Sequence, residues 1–384
     1  MKPYYESYVI CHKEIPLEEY IEIATNLKLK GFVIEGKENK QLKAEKSTKT
    51  QIISRKTLSS HSVNSIRKLL AQNRFHYELL AVEGTNYQVA QWVAKDNRVD
   101  IIRVPSRNMR KIITPQLASV TAECQTFIEL DLQPLFDKKF SNNSFYFRLL
   151  RESLNTILLK RAPFLLTCSV AHPLDFRDRR MIYSLAEIIG IPSRVLNDNY
   201  QLLTQRLKTN REKLAREIIA PGIKVLTKKA QKNEKIKKTD LKEKEWKEKD
   251  QPSLELESLT EEELKQLTKS ISIAEQELPI LTLERPRYIS FEAITTDNIS
   301  LDKKKLQQLF WSKFSELFGT VGSSKAGLYL LDFSNKTMTG ILRCSHMALQ
   351  ATRVILGLIT EYQEKRILLK INRVSGTLKG IRKE

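Results

Sequence analysis

The chain is 384 residues long, 41% hydrophobic, and carries a formal charge of +20 with an isoelectric point near 9.6. That length suggests about two domains, and that charge suits a polyanionic partner, either nucleic acid or an acidic membrane surface. No run of about 18 apolar residues is present, which excludes a membrane-spanning helix, and the opening MKPYYESYVICHKE has no apolar signal core, so a cytoplasmic location is expected.

Residues 1–226 alternate between β-rich and helical runs. YVICH, GFVIEG, QIIS, ELLAVEG, DIIRVP, TFIELDL and FLLTCSV read as strands, with SRVL as a further candidate. LEEYIEIATNLKLK, NYQVAQWVAKDN, TPQLASVTAE, FYFRLLRESLNTILLKRA and MIYSLAEIIG read as helices between them. Strands apolar on both faces and separated by helices make a parallel sheet covered by helices. Seven or eight such units in this span fit an α/β TIM-like barrel better than an open sheet. No GxGxxG follows the first strand, which argues against a dinucleotide site. The four cysteines, Cys11, Cys124, Cys168 and Cys344, form no CxxC and are expected to be reduced, buried thiols.

Residues 227–284 form a linker of net charge −2 between flanks of +13 and +9. KKAQKNEKIKKTDLKEKEWKEKD has too few apolar residues to offset chain entropy and reads as a solvated helix or a disordered segment. Leu259–Glu275 reads as an amphipathic helix, with Thr260 and Glu263 in capping-box spacing.

Residues 285–384 have another rhythm. RYISFEAI alternates as a strand. SLDKKKLQQLFWSKFSELFG is a helix with Leu306, Leu309, Phe310, Phe314, Leu317 and Phe318 on one face, capped by Ser300 and ended by Gly319. GLYLLDF and MTGILRC are strands joined by a tight turn at SNKT. HMALQATRVILGLITEYQ is a second helix, striped by Met347, Ala351, Val354, Ile355, Leu358 and Tyr362, and RILLKINRV is the last strand. The order βαββαβ predicts a ferredoxin-like (RRM-like) α+β sandwich.

Catalytic signatures are sparse. There is no GxSxG elbow and no Walker loop, and the chain has five histidines. A metal cluster of His12, His172 and Asp175 is conceivable, but ordinary strand-end polar residues explain the same pattern, so neither a catalytic residue nor a metal ligand is assigned. Glu35, Glu83, Glu129 and Asp131 fall at strand ends, placed to line a barrel mouth or to pair with arginines. Basic clusters are more informative. RVPSRNMRK sets Arg103, Arg107, Arg110 and Lys111 around one strand end. LDFRDRR sets Arg177, Arg179 and Arg180 after another, at the start of a helix. In the tail, Arg373 continues the apolar side of its strand and is expected to emerge at the rim. Gly376 permits a close backbone approach or a positive φ, Ser375 and Thr377 add hydroxyls, and Lys379, Arg382 and Lys383 add charge.

RYISFEAI, LFGTVGSSKAGLYLLDF, GILRCSH and LLKINRVSGTLKGIR, in that order over essentially all of 285–384, resemble the Pop-five family, the small ferredoxin-like protein subunit of ribonuclease P. FLLTCSVAHPLDFRDRRMIYSLAEIIGIP and APGIKVL are similar to the p-thirty family, the barrel-shaped subunit of the same enzyme. The resemblance implies a fusion of two subunits that are otherwise separate chains, joined by a tether that raises their effective concentration. It implies a protein component of ribonuclease P that assists a catalytic RNA in removing the 5′ leader of precursor tRNA, without being the catalytic subunit. The implied partners are ribonuclease P RNA, precursor tRNA and other ribonuclease P proteins, with self-association or docking of the two domains and no membrane. No cofactor is expected on the protein, and Mg2+ is expected at the RNA. The family's barrel resembles metal-dependent PHP-like phosphoesterases that have lost their ligands. The small domain resembles an RNA-recognition fold, but MTGILRC lacks the aromatic RNP pattern, so phosphate contact from the rim is expected rather than base stacking. Lys325, Arg343 and the Arg373–Lys383 tail are the expected contacts there. Two other readings remain open: a free-standing metal-dependent phosphoesterase or nuclease with an RNA-binding appendage, and a non-catalytic assembly scaffold.

Overall fold

The structure, a computed structural model, describes residues 4–42, 50–136, 143–215, 218–220, 223–224, 285–296 and 299–382. The readings of the 227–284 linker, its Leu259–Glu275 helix, and Lys383 lie outside the described residues.

Seven parallel strands pair in chain order: β1 (Tyr5–Val9), β2 (Gly31–Glu35), β3 (Gln51–Leu58), β4 (Leu79–Glu83), β5 (Ile101–Val104), β6 (Phe127–Asp131) and β7 (Phe164–Thr167). A parallel bridge between Val9 and Val170 closes the sheet. The Ile10 N–H donates to the Val170 carbonyl at 2.8 Å and the Val170 N–H to the Tyr8 carbonyl at 3.0 Å. Among the described residues the barrel therefore has seven strands. The SRVL segment is not a strand; it opens a 22-residue helix. Its burial recurs at Leu196, Asn199, Tyr200, Leu203, Leu207 and Asn210, a helical period that four residues alone do not reveal.

The barrel helices are α1 (Leu17–Asn26), α2 (Val63–Asn73), α3 (Tyr87–Ala94), α4 (Pro115–Cys124), α5 (Asn143–Leu159), α6 (Arg179–Ile189) and α7 (Ser193–Leu214). Local chemistry sets their ends. Asn86 accepts from the Val89 N–H at 2.8 Å, Thr114 from Leu117 at 3.2 Å with Pro115 just inside, and Asp178 from Arg180 at 2.7 Å. Gly190 ends α6 at φ 103°, a conformation that disfavours a side chain. Helix α2 was not expected, because only Ile66 and Leu70 are buried on it. The four cysteines are free thiols; Cys168 and Cys344 are buried, and Cys11 and Cys124 are half-exposed.

The C-terminal region contains β8 (Pro286–Ile294), α8 (Lys303–Ser324), β9 (Tyr329–Ser334), β10 (Thr339–Ser345), α9 (Leu349–Leu358), β11 (Leu368–Ser375) and α10 (Leu378–Arg382). Its antiparallel sheet runs β9-β10-β8-β11, the ferredoxin-like order. Ile289, Phe291, Leu342 and Ile371 on its inner face pack against Leu306, Phe310 and Phe314 of α8 and Ile355 of α9. Asp302, rather than Ser300, caps α8 by accepting from the Lys304 and Lys305 N–H groups. The helix breaks at Gly319, where φ is 67°. Met347 is 80% exposed, because α9 begins only at Leu349 and Met347 lies in the turn before it.

Residues 1–214 and 285–384 make one compact unit. Helix α9 lies on α6, and Val354, Leu358 and Leu368 join the apolar core of the barrel. Gly357 is the closest point of this seam: a Cβ there would stand 2.1 Å from Met181 Cγ. Polar contacts surround it. Ser184 donates to Gln350 at 2.5 Å, Gln350 to Glu187 at 2.6 Å, and Arg366 to Asp175 at 3.0 Å. The two domains thus dock within one chain. Residues 215–284 form a separate unit, in which Ile218–Ala220 and Ile223–Lys224 pair as a short antiparallel ladder.

Candidate nucleic-acid interface

A barrel puts the C-terminal ends of its strands at one rim, so side chains ending β1, β2, β3, β5, β6 and β7 converge there. Arg55, fully buried, forms two parallel bonds of 2.7 Å to the Glu129 carboxylate and donates to the Ser7 carbonyl at 2.6 Å. The Ser7 hydroxyl donates to Glu129 at 2.5 Å. Burial alone would raise the Glu129 carboxyl, but the Arg55 charge and its hydrogen bonds, with Arg103 behind, hold it below its ordinary range. Arg103 bonds Asp131 at 2.9 Å and Ser169 at 3.0 Å and lies 3.6 Å over the Tyr8 ring. Glu35 accepts from the backbone and hydroxyl of Thr57 and stands 3.7 Å from Arg55. Guanidinium groups thus stand among the carboxylates of the mouth.

Two of the conceivable metal trio are engaged otherwise, and the third, His12, is exposed after β1. His172 Nδ1 accepts from the Leu174 N–H, and Asp175 accepts from the His172 N–H and pairs with Arg366. Among the described residues no group of three or more His, Cys, Asp or Glu side chains could hold a metal ion.

The predicted basic residues separate into three sets. Arg107, Arg110 and Lys111 are exposed on the turn after β5. Arg110 pairs with Glu152 at 3.0 Å. Arg110 and Arg148 each hold their guanidinium 5.5 Å from the ring of Phe145, itself 42% exposed. Arg148 extends this patch and went unnoticed; its only sequence signal is the four-residue spacing to Glu152. The second set is structural. Arg177 is 2% exposed, donates at 2.8 Å to the Leu174 and Phe176 carbonyls, and lies 4.7 Å over the Phe136 ring. Burial lowers the pKa of its guanidinium from the ordinary value. Arg180 donates to the Ile371 and Asn372 carbonyls at 2.6 and 2.9 Å, across the seam. Beside them Arg179 is half-exposed.

The third set lies on the C-terminal domain. Lys325, Arg343, Arg373, Lys379 and Arg382 are exposed. Arg373 does not continue the apolar side of its strand. The register shifts at Asn372, so that Phe291 faces Ile371 while Ser290 faces Arg373, and the bulge turns Arg373 to the solvent side. Ser375 accepts from the Thr377 N–H at 3.2 Å and Thr377 from the Gly380 N–H at 3.1 Å, which starts α10. Gly376 is exposed and its φ is not positive. On the same solvent face, register sets Tyr329 opposite Arg343, Arg343 opposite Tyr288, and Tyr288 opposite Ser375. Neither tyrosine was singled out from the sequence, since each comes from a different strand.

Comparison with known proteins finds one family in the first part of the chain and another in the last. Residues 4–205 match the RNase P subunit p30 family and residues 287–384 the Rpp14/Pop5 family. Ribonuclease P protein component 2 of Pyrococcus abyssi (strain GE5 / Orsay) is 33% identical over 107 residues, which cover 28% of this chain and 89% of that protein. Ribonuclease P/MRP protein subunit POP5 of Schizosaccharomyces pombe is 32% identical over 102 residues, 26% of this chain and 73% of that protein. A chain in a cryo-EM structure of archaeal ribonuclease P with mature tRNA shares the fold at a TM-score of 0.50 and 15% identity, over 58% of this chain and 99% of its own.

Proposed function

The chain belongs to two families of ribonuclease P protein subunits, RNase P subunit p30 in its first part and Rpp14/Pop5 in its last, and on that premise we propose that it is a two-subunit fusion serving as a protein component of ribonuclease P. It assists removal of the 5′ leader of precursor tRNA, with the RNA carrying the chemistry and its Mg2+, and with ribonuclease P RNA, precursor tRNA and further ribonuclease P proteins as partners. It works in the cytoplasm; among the described residues no helix is long and apolar enough to cross a membrane. Its domains are the barrel of 1–226, the charged linker of 227–284 and the ferredoxin-like domain of 285–384.

The observation that carries this reading is that two parts of one chain match subunits of one enzyme and share an apolar core through Val354, Leu358 and Leu368. The barrel mouth supports it. Arg55 and Arg103 bring fixed positive charge to the carboxylates Glu129 and Asp131, where a hydrolytic metal ion would need those carboxylates for itself. RNA contact is assigned to Arg107, Arg110, Lys111 and Arg179 on the barrel. On the second domain it is assigned to Lys325, Arg343, Arg373, Ser375, Gly376, Thr377, Lys379, Arg382 and Lys383. Arg103, Arg177 and Arg180 support these surfaces from within.

Reconstitution tests the reading. The protein added to ribonuclease P RNA in magnesium accelerates 5′ cleavage of precursor tRNA, cleaves nothing alone, and binds RNA with an affinity that falls steeply with salt. Metal-dependent cleavage by the protein alone, abolished by His12→Ala or His172→Ala, would replace this reading with a hydrolase.

A further inference from the structure

The solvent face of the four-stranded sheet carries a row of side chains that chain order conceals. Tyr329 on β9, Arg343 on β10, Tyr288 on β8 and Ser375 at the end of β11 are cross-strand neighbours. Directly opposed residues stand about 5 Å apart, so the two tyrosines lie about 10 Å apart with Arg343 between them. Tyr329 is 57% exposed, Arg343 is exposed and Tyr288 half-exposed. The next row holds Asp332, Ile341, Ser290 and Arg373. The bulge at Asn372 brings Arg373 to this face, and the barrel's Arg180 holds the two carbonyls of that bulge. The third row is neutralised internally, Lys370 bonding Glu292 at 3.1 Å. Helix α10 rests against β11 and β8 and brings Lys379 and Arg382 to the border, while Tyr329 on β9 and Arg343 on β10 are open to solvent.

We propose that this face is a stacking platform for unpaired RNA: Tyr329 and Tyr288 each take a base, Arg343 between them takes the intervening phosphate, and Arg373, diagonal to Tyr288 on β11, takes the phosphate beyond. The occupant is single-stranded RNA because the face offers two ring planes with one arginine between them and a second beyond Tyr288. Aromatic planes reward exposed bases, which duplex RNA keeps inside its stack, whereas a phosphate track needs no rings. Large exposed aromatics on a strand otherwise invite aggregation, so their placement beside arginines points to a ligand with both π-faces and negative charge. Sequence alone pointed away from stacking, since MTGILRC holds no aromatic residue; the aromatic partners come from the two strands that flank it. The proposal rests on the ribonuclease P reading and specifies what that subunit holds.

The test is titration of the full-length protein with a labelled oligouridine and with a duplex RNA of equal charge. Tyr329→Ala weakens oligouridine binding by about tenfold or more without changing the salt slope, and Tyr329→Phe restores it. Arg343→Ala weakens it too and lowers the slope by about 0.7. Duplex binding does not respond to Tyr329→Ala. The proposal is overturned if Tyr329→Ala binds oligouridine as the parent does, if the duplex suffers the same loss, or if the parent protein does not bind oligouridine. The ribonuclease P reading is decided separately, by cleavage in the reconstituted enzyme.

Discussion

Replacing Gly357 by alanine should separate helix stability from domain docking. In an ordinary helix interior this change stabilises by about 1 kcal/mol, because alanine loses less backbone entropy on folding. Here the added methyl would lie 2.1 Å from Met181 Cγ and 3.0 Å from its Sδ and Cε. Cγ is near the Met181 backbone and cannot swing aside as a terminal methyl can, so α6 and α9 must move apart or Met181 must leave its rotamer. Overpacking of this kind costs about 1–3 kcal/mol, enough to outweigh the helix gain. Met181→Ala alone removes a buried side chain and costs about 2–5 kcal/mol. The double variant regains space for the methyl, so its loss should fall short of the two single losses added together, with a coupling of about 0.5–3 kcal/mol. Denaturant unfolding of the four proteins measures the cycle, and limited proteolysis reports whether the domains part. If Gly357→Ala is as stable as the parent or more so, and the cycle is additive, the seam is not where the structure puts it.

Other consequences follow from buried charge. Burial raises the Glu6 carboxyl from 4.5 to about 7, despite hydrogen bonds from Thr167, Tyr4, Cys168 and Tyr8 that pull the other way. The folded protein then holds a proton that the unfolded chain releases, so stability falls as pH climbs from about 4.5 to about 7, by roughly 3 kcal/mol. Glu6→Gln should remove that slope; stability curves that stay parallel across this window would show that Glu6 is not the titrating group. Glu129→Gln leaves the Arg55 charge buried with half its partner gone and should cost about 3–5 kcal/mol, read by thermal unfolding. An unchanged midpoint would mean that the mouth network does not hold. Arg180→Met uncovers the Ile371 and Asn372 carbonyls and should loosen docking by about 1–3 kcal/mol, seen as faster hydrogen exchange in β11 and α6. Unaltered exchange in both elements would remove Arg180 from the seam.

The architecture was readable wherever apolar residues repeat with one period. GFVIEG, ELLAVEG and TFIELDL hold strands within a residue of their expected places, and the FLLTCSV strand ends three residues early at Thr167; these runs were readable because a barrel strand is buried on both faces. SRVL misled because a short stretch ending in Val195 and Leu196 looks alike at the start of a helix and in a strand; the distinguishing period runs on to Asn210. The basic residues were harder. A sequence shows that Arg177 is charged but not that two backbone carbonyls and a Phe136 ring enclose it. A one-residue bulge reversed the face of Arg373, and nothing in LLKINRV announces a bulge. The row through Tyr288, Arg343 and Tyr329 joins three strands separated in the chain, and the fit of Met181 against Gly357 joins two domains; both exist only once register and docking are fixed.

The most direct measurement is to purify the tagged protein gently from its own cells and sequence the RNA that accompanies it. The account predicts one structured RNA, which in magnesium cuts precursor tRNA at the 5′ end. A mixed RNA population or none, together with metal-dependent cleavage by the bare protein, would contradict it.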